Sequence, residues 1–368
     1  MDAPFRILFV DDEPRILDGL RRLLRRQEDQ WAMSFACGAD QALALLGSGD
    51  FDAIVSDLRM PGMDGVTLLE HVRDHHPTAV RLLLSGQAGH TDYDDRLMVA
   101  HQYLAKPCDA TQLRTTLART RALRALVDDP AVLAVVGQVR HLVNMPATYL
   151  QLAQLLDGGR TTSGALATAV ERDPGLAARV LQLANSAFFG VARPTADLGT
   201  ALRYVGTEVV RGLAMAAHLY SRSRAVAPAA LAAVERRALA TAWLARRLAP
   251  RELADHAMTA GLLVEVGDLV LADAGPLAHP VDPGAVAAYL LGAWGLPPEL
   301  VEAVALHRAP SRLAHDDTAL LLAVHVARAL VDDADGSAID RAFVDRCHRA
   351  DQLPAWRAAA RDLGVSAP

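Results

Sequence analysis

Three carboxylates, one hydroxyl and one ammonium close apolar runs in the first third of this sequence. Asp11 and Asp12 follow RILFV, Asp57 ends FDAIVSD, Ser85 follows RLLL, and Lys106 follows QYLA. If these run ends meet, the carboxylates repel one another and need a cation. Hard oxygen donors suit Mg2+, which keeps several of its waters and takes a partly open site. Asp11 or Asp57 alone fits a helix cap equally well. The full set, spread over four run ends, fits a site better. Lys106 is the single lysine among 37 basic residues. An ammonium is a compact point charge on a flexible stem, whereas a guanidinium is a planar fork. A chain that otherwise uses arginine keeps a lysine where a point charge has to reach.

The elements that position these groups follow from hydrophobic period. RILFV, WAMSFA, FDAIVSD, AVRLLLSG and QYLAKP are short apolar runs of the kind buried in a parallel sheet. Between them PRILDGLRRLLRR, GADQALALLGS, DGVTLLEHVRDHHP and TDYDDRLMVAH carry helical stripes, and DATQLRTTLARTRALRALV closes the series as a long helix. Five such repeats predict an α/β doubly wound five-stranded parallel sheet over residues 1–127. Ligands in such sheets bind at the carboxyl ends of the strands, where the charged residues fall. In the closing helix Leu113 and Leu117 share a face, and Leu123 and Val127 repeat that spacing. The surplus apolar face beyond Arg119 predicts packing on the following domain or on a second copy of the chain.

The stretches VDDEP, SDLRMPGMDG, LLLSG and YLAKP resemble a response-regulator receiver domain of the flavodoxin-like fold. The resemblance implies that Asp57 is the phosphoacceptor for a histidine kinase. It implies that Asp12, Asp57 and the backbone carbonyl of Arg59 hold Mg2+, with Asp11 helping through water. Ser85 and Lys106 would act on the phosphoryl group, with Ser85 and Tyr103 as the switch residues.

From residue 128 onward strand patterns vanish and helical stripes recur, broken by Pro and Gly. Residues 128–222 and 229–368 form two helical parts joined by a short connector. The histidines of this half show no metal-ligand spacing, and no nucleophile or phosphate-loop motif is present. RDPGLAARVLQLANSAFFG, AMTAGLLVEVGDLVLA and YLLGAWGLPPELVEAVALHRAP resemble an HD-related output domain, HDOD, an all-α HD-like fold. The family is related to metal phosphohydrolases but generally lacks their ligands. Where a hydrolase would carry His-Asp, this chain has Val264 and Glu265. Arg237 stands at the upstream His position and Arg328 at the late Asp position, while His307 survives. A lone imidazole does not hold a two-metal centre, so no cofactor is expected in this domain.

The remaining features are bounds. Of 368 residues, 52% are hydrophobic, and net charge is −6 with pI near 6.1. That balance argues against nucleic acid as a partner of the whole chain. No apolar run reaches membrane-span length, the N-terminus lacks a basic signal region, and Cys37, Cys108 and Cys347 fit a reducing compartment. A cytoplasmic protein is expected. Three functions stay open. The first is a two-component phosphorelay regulator whose HDOD part is not an enzyme but binds a downstream signalling protein. The second is a regulator with residual metal-dependent phosphodiesterase activity, and the third a DNA-binding regulator.

Overall fold

The computed structural model describes residues 4–25, 31–85, 99–106, 110–126, 130–138, 152, 155, 163–185, 195–223, 225–277, 279–313, 315, 318–333 and 335–362. The chain divides into two compact units. One comprises Met1–Ala147 with Tyr289–Leu296, the other Thr148–Ala288 with Pro297–Pro368.

In the first unit, strands β1 (Phe5–Asp11), β2 (Trp31–Cys37), β3 (Ala53–Asp57), β4 (Val80–Ser85) and β5 (Gln102–Ala105) pair in parallel in the order β2-β1-β3-β4-β5. β3 is buried throughout and β1 at all but Arg6, because helices cover both faces. Alternation sorts the side chains. Phe5, Ile7 and Phe9 meet Leu17, Leu20 and Leu24 of α1 (Pro14–Leu24) and Leu113 and Leu117 of α4 (Ala110–Leu126). Leu8, Val10 and Ile54 face α2 (Ala39–Leu46) and α3 (Gly65–His75) on the other side. The helix expected over 91–101 falls outside the described residues except at its end, where Val99 and Ala100 are buried in this second core. In α4 the Leu113 and Leu117 stripe packs on the sheet. Val127 and the side chain of Leu123 lie outside the described residues. α5 (Pro130–Gln138) follows.

The rest of the chain is mostly helical. Its helices are α6 (Ser163–Glu171), α7 (Pro174–Ala184), α8 (Leu198–Val205), α9 (Thr207–Arg222), α10 (Pro228–Leu248), α11 (Ala254–Leu263), α12 (Val266–Ala274), α13 (Pro283–Ala293), α14 (Pro298–Leu306), α15 (Ala319–Asp332), α16 (Arg341–Arg346) and α17 (Leu353–Asp362). Asp173 caps α7, accepting from the Leu176 N–H at 3.0 Å, and Pro174 occupies its first turn.

Apolar helical spacing runs through residues 198–220 and through 252–273, yet each stretch is two helices. Residues 198–220 break at Gly206, whose φ of 84° leaves the helical region and ends α8. Residues 252–273 break at Val264 and Glu265, between α11 and α12. Among the described residues no helix is long and apolar enough to cross a membrane.

Candidate functional site: an acidic strand-end rim and an arginine-filled helical core

Parallel pairing brings the ends of β1 and β3 side by side, so the carboxylates that follow them converge. Ligand oxygens of Asp11, Asp12 and Asp57 lie within 4.8 Å of one another. Asp11 is 1% exposed, yet both of its oxygens are used. Oδ1 accepts from the Glu13 N–H at 2.9 Å and Oδ2 from Lys106 Nζ at 2.7 Å. Lys106 follows β5 directly and also reaches Asp57 Oδ1 at 2.7 Å. Burial opposes its charge, but hydrogen bonds and charges from Asp11 and Asp57 prevail and raise its pKa.

The turn after β3 is held tightly. The Gly65 N–H donates to the Leu58 carbonyl at 3.0 Å, and Asp64 caps α3 through the Thr67 N–H at 2.7 Å. A Cβ on Gly65 would lie 1.9 Å from the Asp57 carbonyl oxygen, so only glycine passes there. Arg59 is exposed in this turn. Ser85 is the last residue of β4 and Tyr103 lies in β5. Their side chains fall outside the described residues. Cys37, which the sequence reading gave no place at the rim, ends β2 with Sγ 3.4 Å from the Asp12 carbonyl. The donor set fits Mg2+, with three hard carboxylates gathered and a single ammonium balancing two of them.

The helical unit gathers the other singled-out residues around one buried carboxylate. Glu265 is 2% exposed. Arg237 of α10 donates to it through Nε at 2.9 Å and Nη2 at 3.3 Å, and Arg328 of α15 through Nη2 at 3.0 Å. Arg328 also pairs with Asp332 one turn on. Val264 is buried, and its side chain offers no ligand atom. Two guanidinium groups thus occupy Glu265, the carboxylate at the former ligand positions.

His307 is buried beside this cluster. Its Nδ1 donates to the Val304 carbonyl at 2.7 Å. Burial lowers its pKa to about 4, with Arg308 and Arg328 adding to the effect. His325, which the sequence reading counted only among scattered histidines, links the elements. Its Nε2 accepts from the Asp340 N–H at 2.9 Å, so Nδ1 donates to the His307 carbonyl at 2.7 Å. His315 is half-exposed and pairs with Glu302 at 2.9 Å, apart from this cluster; Asp316, which follows it, lies outside the described residues.

Comparison with known proteins assigns both halves. Residues 7–118 match the family described as response regulator receiver domain, and residues 142–279 the HDOD domain family. Among curated proteins, the hydrogenase transcriptional regulatory protein HoxA of Cupriavidus necator is 34% identical over 133 residues, covering 35% of this chain and 26% of HoxA. The alginate biosynthesis transcriptional regulatory protein AlgB of Pseudomonas aeruginosa is 32% identical over 185 residues, covering 45% and 40% respectively. The chain thus spans well under half the length of either. A solved signal receiver domain of an HD domain-containing protein from Pseudomonas fluorescens Pf-5 is 31% identical, covering 33% of this chain and 88% of that one, with a TM-score of 0.29. With the acidic rim inside the first match and the Glu265 cluster begun within the second, the chain carries an N-terminal response regulator receiver domain and, after it, an HDOD domain.

Proposed function

We propose that the chain is a two-component response regulator in which phosphorylation of Asp57 by a cognate histidine kinase controls a non-catalytic, HD-like HDOD output that binds another signalling protein. The observation that carries the reading is Lys106 bridging Asp11 and Asp57. An ammonium already between two carboxylates is placed to follow a phosphoryl group arriving on one of them. In the transfer, a carboxylate oxygen of Asp57 forms the new P–O bond while the P–N bond to the kinase histidine breaks. Asp12, Asp57 and the Arg59 carbonyl would hold Mg2+, with Asp11 through water; the ion would neutralise charge on the phosphoryl oxygens. Lys106 then supplies a second positive charge from the protein, and Ser85 and Tyr103 are the proposed switch pair.

Two observations in the helical unit support a binding rather than a chemical output. Glu265, the acidic group at the former ligand positions, is neutralised by Arg237 and Arg328. Three of the four arginines of α10 are also paired: Arg237 with Glu265, Arg246 with Asp255 and Arg247 with Asp362. Guanidinium groups held by carboxylates make a poor phosphate-backbone footprint, which weighs against the DNA-binding alternative. α4 is the proposed transmitter, and dimerisation through its distal part is one form the output could take.

The test is analytical ultracentrifugation and binding to candidate signalling proteins, with and without beryllofluoride, for wild type and Asp57→Asn. A change seen only when Asp57 is present supports the reading. Stoichiometric Fe, Mn or Zn in the purified protein, with turnover of a cyclic dinucleotide, contradicts the non-catalytic output.

A further inference from the structure

The helical unit contains a partly enclosed cavity of about 140 Å3 between α7, α9, α10 and α11. Leu213, Ala216 and Leu262 form its floor, each no more than 3% exposed. Leu239 and Trp243, one turn apart on α10, are half-buried and form a wall. The mouth is charged. Arg179 of α7 pairs there with Glu235 of α10, and both side chains keep between a quarter and a third of their surface in solvent. The polar group nearest the floor, the Tyr220 hydroxyl, is already satisfied, donating to the Leu262 carbonyl at 3.0 Å.

Volume selects the ligand class. An apolar cavity of roughly 150 Å3 holds a single benzene ring, whereas drug-sized ligands occupy roughly 300–1,000 Å3. A nucleotide is too large, and the guanidinium of Arg179, the one in the lining among the described residues, already has a carboxylate partner. The charges select further. A simple carboxylate would meet Arg179 but face Glu235, and a simple amine would meet Glu235 but face Arg179. A molecule carrying both charges satisfies both, and separating a part-exposed ion pair costs little.

We propose that this cavity binds a small zwitterion with one apolar group, the class of a free amino acid with a leucine- or phenylalanine-sized side chain. The side chain fills the space above Leu213, Ala216 and Leu262, the carboxylate pairs with Arg179, and the ammonium pairs with Glu235. The inference goes beyond the phosphorylation-controlled output and does not depend on it, because every residue used lies in the helical unit.

The experiment is calorimetric titration of the full chain at millimolar ligand. L-leucine and L-phenylalanine are compared with N-acetyl-leucine, leucinamide, glycine, toluene and a terminally blocked leucine-containing peptide. The two zwitterions should bind about tenfold more tightly than either singly charged analogue, and glycine should not bind measurably. Arg179→Gln should lower leucine affinity about tenfold while far-UV circular dichroism stays unchanged. Ala216→Phe should abolish binding by filling the cavity; if it does not fold, Arg179→Gln decides. Asp57→Asn should bind leucine as wild type does, which separates this site from the receiver chemistry. Toluene binding as well as leucine would make this a plain apolar cavity, and tighter binding of the blocked peptide would make it a protein-docking site. Either result overturns the proposal, as does wild-type leucine affinity in Arg179→Gln or no zwitterion binding at all.

Discussion

The ammonium of Lys106 lies 2.7 Å from Oδ1 of Asp57. The same nitrogen donates to Asp11 Oδ2, so one flexible cation offsets two carboxylates that a divalent ion would also use. Lys106 and Mg2+ therefore compete for charge at the rim. Lys106→Met should raise Mg2+ affinity about tenfold, and Asp57→Asn should lower it by a similar factor. Titration calorimetry with Mg2+ checks both. Weaker binding in Lys106→Met would show that the ammonium assists the ion.

Gly65 touches the same site through the backbone. Its missing Cβ leaves room for the Asp57 carbonyl, which a methyl group would approach to 1.9 Å. Gly65→Ala should destabilise the first unit by about 1–3 kcal/mol and weaken Mg2+ binding through a displaced Asp57. Denaturant unfolding and metal titration of the variant are the measurements. Unchanged values in both would mean the turn relaxes freely.

In the helical unit the buried Glu265 holds two arginines, Arg328 buried and Arg237 part-exposed. Glu265→Gln keeps the shape and removes the charge, leaving Arg328, 7% exposed, facing a neutral amide. The expected loss is about 3 kcal/mol, most of it through Arg328, because Arg237 is 37% exposed on its side chain and is screened. Asp268→Asn makes the control. Its partner Arg308 is 46% exposed on its side chain, and the loss should stay below about 1 kcal/mol. Equal losses in denaturant unfolding would mean burial of the triad adds nothing.

His307 gives the unit a pH dependence with a defined sign. Its folded pKa of about 4 lies below the ordinary value of 6.5, burial being the first cause. Between those values the unfolded chain takes up a proton that the folded chain refuses. The contribution is full above pH 6.5, falls as pH drops from 6.5 towards about 4, and levels off below. Its total is ~3 kcal/mol. His325 acts in the same direction, since burial also lowers its pKa. Unfolding midpoints measured across this range should flatten in His307→Gln relative to wild type. An identical slope would assign the acid sensitivity elsewhere.

The strands were legible because each is a short apolar run, β1 and β3 being buried almost throughout, and their ends located Asp11, Asp57 and Lys106. In FDAIVSD, β3 begins only at Ala53; Asp52 before it still donates its N–H to the Arg6 carbonyl at 2.8 Å, and its side chain accepts from the Arg6 N–H at 2.8 Å. The helical breaks at Gly206 and Glu265 were hidden because the apolar spacing continues across both. Arg237, Glu265 and Arg328 were legible as departures from a metal-ligand set. Their mutual pairing was not, since it needs α10, the α11–α12 junction and α15 to meet. The His325 link to His307 spans 18 residues and leaves no local signature in the sequence.

The most direct measurement is the intact mass of the full chain after incubation with Mg2+ and acetyl phosphate. Wild type should gain the mass of one phosphoryl group, lose it on standing with Mg2+ or on alkaline treatment, and gain none when Asp57 is replaced by Asn. Labelling of Asp57→Asn to the wild-type extent, or no labelling of a wild type that binds Mg2+, would contradict Asp57 as the phosphoacceptor.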